Sequence, residues 1–249
     1  MIITKENHEG FISTKFPELS VARSTLYIVS TPIGNLEDIS FRALHVLKNV
    51  NLIACEDTRK TGILLKHYGI RNELTSYFSH NENVKIEYII ERLQNGDSVA
   101  VVSDAGTPCI SDPGGILVNE CVRQGINVIS IPGASSVIHS LVLSGFKIKK
   151  FYFQGFLPQK KGREKTFTEL SKIKALLVIF ESPFRVMRTL EDIHKFLGNK
   201  EIAICRELTK MFEEEIRGKV KDFVGENTNK DGKNKFKTKG EFVIVINNL

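Results

Sequence analysis

The chain has 249 residues, of which 41% are hydrophobic, and its formal net charge is +6. That length suits two domains with sizeable cores, and no stretch approaches the roughly 20 consecutive apolar residues of a membrane span. Segment 1–24 lacks the apolar region of a signal peptide, so we expect a polar N-terminal extension, a cytoplasmic protein and, given the charge, compatibility with a polyanionic partner.

The first half of the chain repeats one plan, in which a short apolar run is followed by a turn and then by a helical pattern. The pattern predicts four strands, at 26–31, 52–55, 98–103 and 127–131. The predicted helices begin at Asp38, cover 60–68 and 82–94, run from Asp112 and Pro113 to Gly125, and cover 137–145. Near-continuous apolar strands that alternate with helices predict a parallel sheet covered on both faces.

The pattern of predicted strands and helices changes after residue 146. Further strands are predicted at 151–156, 175–182, 201–208 and 240–247, with a helix over 185–198. Segment 144–150, "SGFKIKK", has the composition of a hinge. We therefore predict a first α/β domain over 25–146 and a second α/β domain over 147–249.

Four loops that follow predicted strands are rich in special residues. They read "TPIGN" (31–35), "EDTR" (56–59), "DAGTP" (104–108) and "PGASS" (132–136). In open α/β sheets the ligand crevice lies outside the carboxyl ends of the strands, so these loops are expected to face one cavity. Glycine and proline also punctuate ordinary tight turns, which explains any one loop but explains four in a row less well.

The chemistry of these loops indicates which ligands they accept. Pro32, Pro108 and Pro132 each remove a backbone donor that a pyrophosphate would need. Asp104 and the pair Glu56–Asp57 add negative charge at the same places. S-adenosylmethionine fits such a cavity, because it has ribose hydroxyls, an ammonium and a sulfonium but no phosphate, although the loops do not specify it uniquely.

Metal chemistry is not expected from this sequence. The four cysteines form no Cys-x-x-Cys pair, which favours free thiols in a reducing compartment. The six histidines never flank a glutamate at the spacing of a zinc helix, so no metal ligand is predicted.

Longer motifs carry a resemblance to a known family. "VAVVSDAGTPCISDPG", "GFLPQKKGRE", "FESPFRV" and "CRELTKMFEE", together with the segment 26–70, resemble the bacterial 16S rRNA cytidine 2′-O-ribose methyltransferases, a branch of the tetrapyrrole-methylase superfamily. The resemblance runs from about residue 25 to 247. It implies a class III methyltransferase fold of two α/β domains with S-adenosylmethionine in the cleft between them. It also implies a homodimer, and a cytidine ribose in the decoding region of 16S rRNA, within the small ribosomal subunit, as the substrate.

The resemblance also assigns residues to the cofactor, chief among them Asp104. A carboxylate pressed against the sulfonium would stabilise the starting state more than the transition state, so Asp104 is placed on the ribose or the amino-acid end. An Asx residue that stabilises its own turn is the structural alternative. The predicted cofactor residues are Pro32, Ile33, Asp104, Ala105, Gly106, Thr107, Ser135, Ser136, Phe156 and Leu157.

Proton transfer and RNA binding draw on other motifs. Glu56, Asp57, Lys210 and His80 are candidates to accept or relay the proton of the ribose hydroxyl, with Arg59 placed to pair with Asp57; the alternative is a helix acid that satisfies backbone donors. Asp112 is assigned to the N-cap of a helix and left out of the site. The predicted catalytic residues are Glu56, Asp57, Arg59 and Lys210, and the predicted RNA contacts are Lys160, Lys161, Arg163 and His80.

Two rival functions remain open on the sequence. One is C-methylation of a tetrapyrrole by the same fold, against which the positive charge and "EDTR" argue. The other is a non-catalytic RNA-binding module of ribosome assembly, which would bind no methyl donor.

Overall fold

A computed structural model describes residues 20–78, 82–224 and 236–249 of the chain. His80 and most of the predicted extension, 1–19, lie outside the described residues. The chain divides into two compact units: the first holds the described residues up to Thr31 with Ile39–Gly133, and the second holds Pro32–Asp38 with Ala134–Leu249. Loop 32–38 and the helix after Gly133 thus pack with the second unit, although both precede the predicted boundary at residue 146.

The first unit alternates strands and helices, as predicted, and contains one further strand, Leu74–Ser76, that was not predicted. Its elements are β1 (Thr25–Val29), α1 (Phe41–Asn49), β2 (Leu52–Cys55), α2 (Thr58–His67), β3 (Leu74–Ser76), α3 (Glu82–Gln94), β4 (Val99–Val102), α4 (Gly115–Arg123) and β5 (Asn127–Ile131). The five strands form one sheet in the order β3-β2-β4-β1-β5, and every pairing in it is parallel. The predicted parallel sheet is confirmed.

Both faces of this sheet are covered, which explains its unbroken apolar strands. Along β1, Leu26 and Ile28 pack into the cluster beneath α3 and α4. Tyr27 and Val29 point the other way, into the cluster formed with α1 and α2. Successive side chains of a strand alternate between faces, so a strand buried on both sides needs apolar residues at every position.

The second unit is built on a mixed sheet. Its elements are α5 (Ser136–Leu143), β6 (Phe151–Phe156), α6 (Arg163–Leu170), β7 (Leu176–Glu181), α7 (Val186–Leu197), β8 (Glu201–Arg206), β9 (Glu214–Lys219) and β10 (Phe242–Asn247). The strand order is β6-β7-β10-β8-β9; β6 and β7 are parallel and the other pairs are antiparallel. Helices α6 and α7 cover one face with Leu177 and Ile179, whereas α5 and Ile33 cover the other with Val178.

Two predicted helix starts are wrong, for different reasons. A 3-10 turn occupies 36–38, and α1 begins only at Phe41, because the Ser40 side chain accepts the backbone hydrogen bond of Ala43 and caps it. Helix α4 begins at Gly115 with Gly114 as its cap residue, so Asp112 is not an N-cap. Gly114 has a φ of 123°, which a non-glycine residue would rarely adopt.

No helix among the described residues is long and apolar enough to cross a membrane.

Candidate active site

The loops after β1, β4 and β5 are tied together at the carboxyl edge of the first sheet. Thr31 and Gly106 exchange two backbone hydrogen bonds of 2.9 and 3.1 Å between nitrogen and oxygen. The hydroxyl oxygens of Ser30 and Thr107 lie 2.9 Å apart. Gly133 approaches so closely that a Cβ on it would lie 2.8 Å from that of Ser30. These three of the four predicted loops therefore converge.

Asp104, at the end of β4, joins the fourth loop to them through Lys60 of α2. The Lys60 ammonium donates to Asp104 Oδ2 at 2.5 Å, and that hydrogen bond raises the pKa of Lys60. No described residue donates to Asp104 Oδ1, although that oxygen is buried. A buried acceptor without a donor costs about 1–3 kcal/mol, which a ligand hydroxyl or ammonium would recover. The residues here fit S-adenosylmethionine, which carries both kinds of donor.

Asp112 lies near two other carboxylates, Glu56 and Asp104. The sequence did not predict this placement. Burial raises the pKa of Asp112 to about 6, and the nearby charges of Glu56 and Asp104 act in the same direction, against a hydrogen bond from Ser103. Asp-Pro before an apolar run is typical of a helix N-cap, so the sequence pattern did not indicate that Asp112 would lie near other acids. The raised pKa of Asp112, beside the carboxylates of Glu56 and Asp104, makes Asp112 a candidate functional group.

The backbone of the loop that carries Asp112 is strained. Cys109 and Ser111 have φ values of 72° and 64°, in the left-handed region that non-glycine residues avoid. Such conformations cost about 1–3 kcal/mol each and concentrate at functional sites. The strain supports a functional role for segment 104–114.

Asp57 and Arg59 form the predicted pair at the start of α2. Asp57 caps the helix by accepting from the Arg59 backbone nitrogen, and the Arg59 guanidinium binds both carboxylate oxygens, at 3.0 and 2.7 Å. These hydrogen bonds hold the pKa of Asp57 well below its usual range. Such a carboxylate is a poor proton acceptor, so the geometry favours the structural alternative for Asp57. Glu56 is half-buried beside it.

Lys210 lies in the second unit and is fully engaged by acids. Its ammonium donates to Glu207 at 2.9 Å and to Glu241 at 3.1 Å. Burial opposes the charged ammonium, but the two hydrogen bonds outweigh it and raise the pKa of Lys210. A lysine held in its charged form does not accept a proton. The predicted proton relay through Lys210 is therefore contradicted by its surroundings.

Within the second unit, loop 32–38 is fastened to the turn that carries Lys210. The Asn35 nitrogen donates to the Thr209 hydroxyl at 3.1 Å, and a Cβ on Gly34 would collide with the Lys210 side chain. Glu207 and Thr209 have φ values of 50° and 64°, so this turn is strained too. The segments "TPIGN" and "ELTK" therefore pack directly against each other.

Several predicted cofactor residues turn their side chains away from solvent or into helix caps. Ile33 packs in the core of the second unit and Leu157 is 2% exposed, so only their backbones are available to a ligand. Ser135 caps α5 by accepting from the Ile138 nitrogen, and Ser136 is the first residue of that helix. Phe156, in contrast, is 55% exposed.

Of the predicted RNA contacts that the structure describes, two are exposed and one is buried. Lys160 and Lys161 are exposed. Arg163 is only 3% exposed, because its guanidinium is paired with Asp192 at 2.7 Å and bonded to Thr189 at 2.8 Å. Arg163 is therefore structural, and its assignment to RNA was wrong. A buried arginine cannot be distinguished in sequence from an exposed one in a basic run.

The two α/β units, the first built on a parallel sheet, have the fold of the class III methyltransferases. Residues 25–224 match the family model described as Tetrapyrrole (Corrin/Porphyrin) Methylases. The fold resembles cobalt precorrin-4 methyltransferase, with a TM-score of 0.64 and 16% identity over 93% of this chain and 98% of that one. A uroporphyrin-III C-methyltransferase from Thermus thermophilus, complexed with S-adenyl homocysteine, gives a TM-score of 0.62 and 16% identity over 89% of this chain and 96% of that one.

Sequence relatives are much more similar. A Halalkalibacterium halodurans protein named "Ribosomal RNA small subunit methyltransferase I" is 45% identical over 90% of this chain and 76% of its own. The Thermotoga maritima protein of the same name is 45% identical over 89% of this chain and 97% of its own. The chain belongs to the tetrapyrrole methylase family, in its ribosomal RNA small subunit methyltransferase I group. The family, fold class and enzyme class predicted from the sequence are confirmed: the protein is a methyltransferase.

Proposed function

We propose that the protein transfers the methyl group of S-adenosylmethionine to the 2′-hydroxyl of a cytidine ribose in 16S rRNA. The observation that carries the proposal is the 45% identity, over about nine-tenths of the chain, to relatives named for the small-subunit ribosomal RNA. The motif resemblance adds the cytidine ribose and the decoding region. The cytoplasm, where bacterial subunits assemble, is the proposed location.

The cofactor is proposed to lie against the loops after β1, β4 and β5. Asp104 Oδ1 takes a hydrogen bond from its ribose hydroxyl or its ammonium, which satisfies the buried oxygen described above. Lys60 holds the other oxygen of Asp104 and so fixes the direction of the carboxylate. When bound, S-adenosylmethionine supplies an electrophilic methyl group.

The first contribution of the protein is to align the methyl donor with the ribose hydroxyl. Holding two reactants in line is worth effective molarities of about 10⁵ M and above, and tied loops are well suited to that task. The bonds between Thr31 and Gly106 and between Ser30 and Thr107 keep the cofactor loops from moving independently. Arg59, directed by Asp57, is proposed to orient the RNA rather than to exchange a proton.

The ribose hydroxyl must also lose its proton, and Asp112 is the proposed acceptor. Its pKa of about 6 is close to neutrality, which suits a group that takes up a proton during turnover. Asp57 and Lys210 are unsuited, since the first is stabilised as the anion and the second as the cation. Glu56 is the second candidate for the proton acceptor, because its charge lies close enough to Asp112 to raise the pKa of that residue.

Label transfer tests the function. Purified protein and labelled S-adenosylmethionine are incubated with small subunits from a strain that lacks this methyltransferase, and the rRNA is mapped by mass spectrometry. We expect one labelled cytidine with the methyl group on its ribose. Parallel incubations with free rRNA and with a tetrapyrrole precursor serve as comparisons. Label on the tetrapyrrole alone, or no binding of the cofactor, would contradict the proposal in favour of one of the two rivals.

A homodimer is also proposed. In the second unit, Ile138 and Val142 are exposed one turn apart on α5, and Phe151 and Tyr152 are exposed on the edge strand β6. Exposed apolar residues on an edge strand and a helix face are typical of an interface between copies. Sedimentation velocity tests this assignment: a single species of twice the 28.1 kDa chain mass is expected, and a monomer would contradict it.

A further inference from the structure

The loop after β6 is held by an unusual set of hydrogen bonds. Its three consecutive backbone carbonyls each accept from a different arginine side chain. Arg185 donates to Leu157 at 3.0 Å, Arg163 to Pro158 at 3.1 Å, and Arg188 to Gln159 at 3.4 Å. Charged donors make the stronger class of hydrogen bond, so the backbone of this loop is fixed.

Two of these arginines are fixed in turn by acids. Arg185 pairs at 2.7 Å with Glu181, which is buried at the end of β7. Arg163 pairs with Asp192, and both Arg163 and Glu181 bond to the Thr189 hydroxyl, at 2.8 and 2.6 Å. A satisfied buried network of this kind is rigid.

Phe184 projects from this rigid support into solvent. Its side chain is 96% exposed. On one side of it, the Ser182 nitrogen donates to Glu181 at 2.7 Å; on the other, the Arg185 guanidinium donates to the Ser182 hydroxyl at 3.3 Å. Pro183 further restricts the backbone just before the ring. A phenylalanine held in water by such well-bonded neighbours has no folding role in this unit.

Three exposed cations lie in the two segments that the arginine hydrogen bonds connect, the loop after β6 and the first turn of α7. Arg188 follows Phe184 in the first turn of α7 and is exposed, and Lys160 and Lys161 are exposed at the end of the loop that the arginines hold. The ion pairs among the described residues give none of these three cations an acidic partner. An exposed aromatic ring with unpaired cations beside it is complementary to single-stranded nucleic acid, which offers base faces and phosphates.

We propose that Phe184 stacks on an unpaired base of the substrate RNA while Lys160, Lys161 and Arg188 bind neighbouring phosphates. The inference rests on the proposed function and deepens it, because it names a residue that recognises the RNA. Phe212 is a weaker candidate, since the Lys237 ammonium lies 5.8 Å from the centre of its ring. The arginine-held loop preorganises the surface, so little ordering is required when RNA binds.

Substitution of the ring tests the proposal. Phe184→Ala should raise KM for small subunits about 10-fold or more, the effect of losing one stacked base, and leave cofactor affinity unchanged. Phe184→Trp should restore the wild-type KM, because any flat ring can stack. The matched control is Phe41→Ala, which removes a ring that is 72% exposed on α1 and should have no effect.

The outcomes separate this inference from the function on which it rests. Wild-type protein that methylates subunits, with a Phe184→Ala variant of unchanged KM, would overturn the stacking alone. A defect that Phe184→Trp does not rescue would also overturn it, as would a change in sedimentation, which would make Phe184 a contact between copies. If the wild-type protein methylates no rRNA at all, it is the proposed function that fails.

Discussion

At the scale of single residues, the unsatisfied oxygen of Asp104 carries the most information about the ligand. A buried carboxylate oxygen without a protein donor, such as Asp104 Oδ1, is uncommon in a folded protein and is available to accept from a ligand or an ordered water. Asp104→Ala should therefore weaken S-adenosylmethionine binding about 10- to 100-fold, in line with the loss of a hydrogen bond to a charged group. Calorimetric titration measures the change. Glu120→Ala, which removes a carboxylate from α4, is the control, and an equal loss in that variant would remove Asp104 from the site.

Asp112 makes a prediction about pH. Its pKa rises from 3.8 to about 6 on folding, chiefly through burial, so the folded state binds the proton more tightly than the unfolded state. The stability that Asp112 contributes is complete below pH 3.8 and is lost as the pH rises through 6. Asp112→Asn removes the buried charge and should be more stable than wild type at pH 7.5, by at most about 3 kcal/mol.

Chemical unfolding at pH 4 and at pH 7.5 measures this difference. The two proteins should be close in stability at the lower pH and should separate at the higher pH. A wild-type protein that is as stable as the variant at pH 7.5 would mean that Asp112 is not a buried charge. Methylation by Asp112→Asn should meanwhile fall sharply if Asp112 accepts the proton.

Asp57 separates helix capping from the orientation of Arg59. Asp57→Ala removes the side-chain cap of α2 and should lower the free energy of unfolding. Asp57→Ser keeps a capping oxygen but cannot bind the Arg59 guanidinium with two oxygens. We expect the serine variant to retain most of the stability and to lose turnover. Wild-type turnover in Asp57→Ser would show that the Asp57–Arg59 pair has no part in the reaction.

At the scale of elements, the loop after β6 supplies the electrostatic prediction. Replacing Lys160, Lys161 and Arg188 together with alanine removes three exposed cations from the loop after β6 and the first turn of α7. Each lost phosphate contact should reduce the slope of log affinity against log salt concentration by roughly 1. Binding to small subunits is measured between low and moderate salt. An unchanged slope would place the RNA elsewhere on the protein.

The elements also show which patterns in a sequence are informative. Strands β5 and β6 and helix α3 lie at their predicted bounds, because an unbroken apolar run or a clear amphipathic period leaves little choice. Strand β9 was not predicted, since it reads "EEIRGK" and pairs only with β8 at the edge of its sheet. An edge strand is half-exposed and tolerates charge, so its pattern differs little from that of a loop.

At the scale of the whole molecule, motifs predicted which loops meet better than they predicted where each side chain points. The loops after β1, β4 and β5 do meet, because the carboxyl ends of neighbouring parallel strands share one edge. Local sequence does not show which way a side chain points after the chain has folded. Leu157 is buried in the core of the second unit, and Arg163 is buried because it pairs with Asp192. Asp112 lies near Asp104, at the start of the same loop, and near Glu56, in the loop after β2. None of these contacts is between neighbours in the sequence.

A crystal structure of the protein with S-adenosylhomocysteine would test most directly whether the strand-end loops of the first unit hold the methyl donor. We predict a ribose hydroxyl or the ammonium of the ligand within hydrogen-bond distance of Asp104 Oδ1, with Lys60 still on Oδ2. A ligand bound away from Asp104, Gly106 and Thr107 would contradict the account.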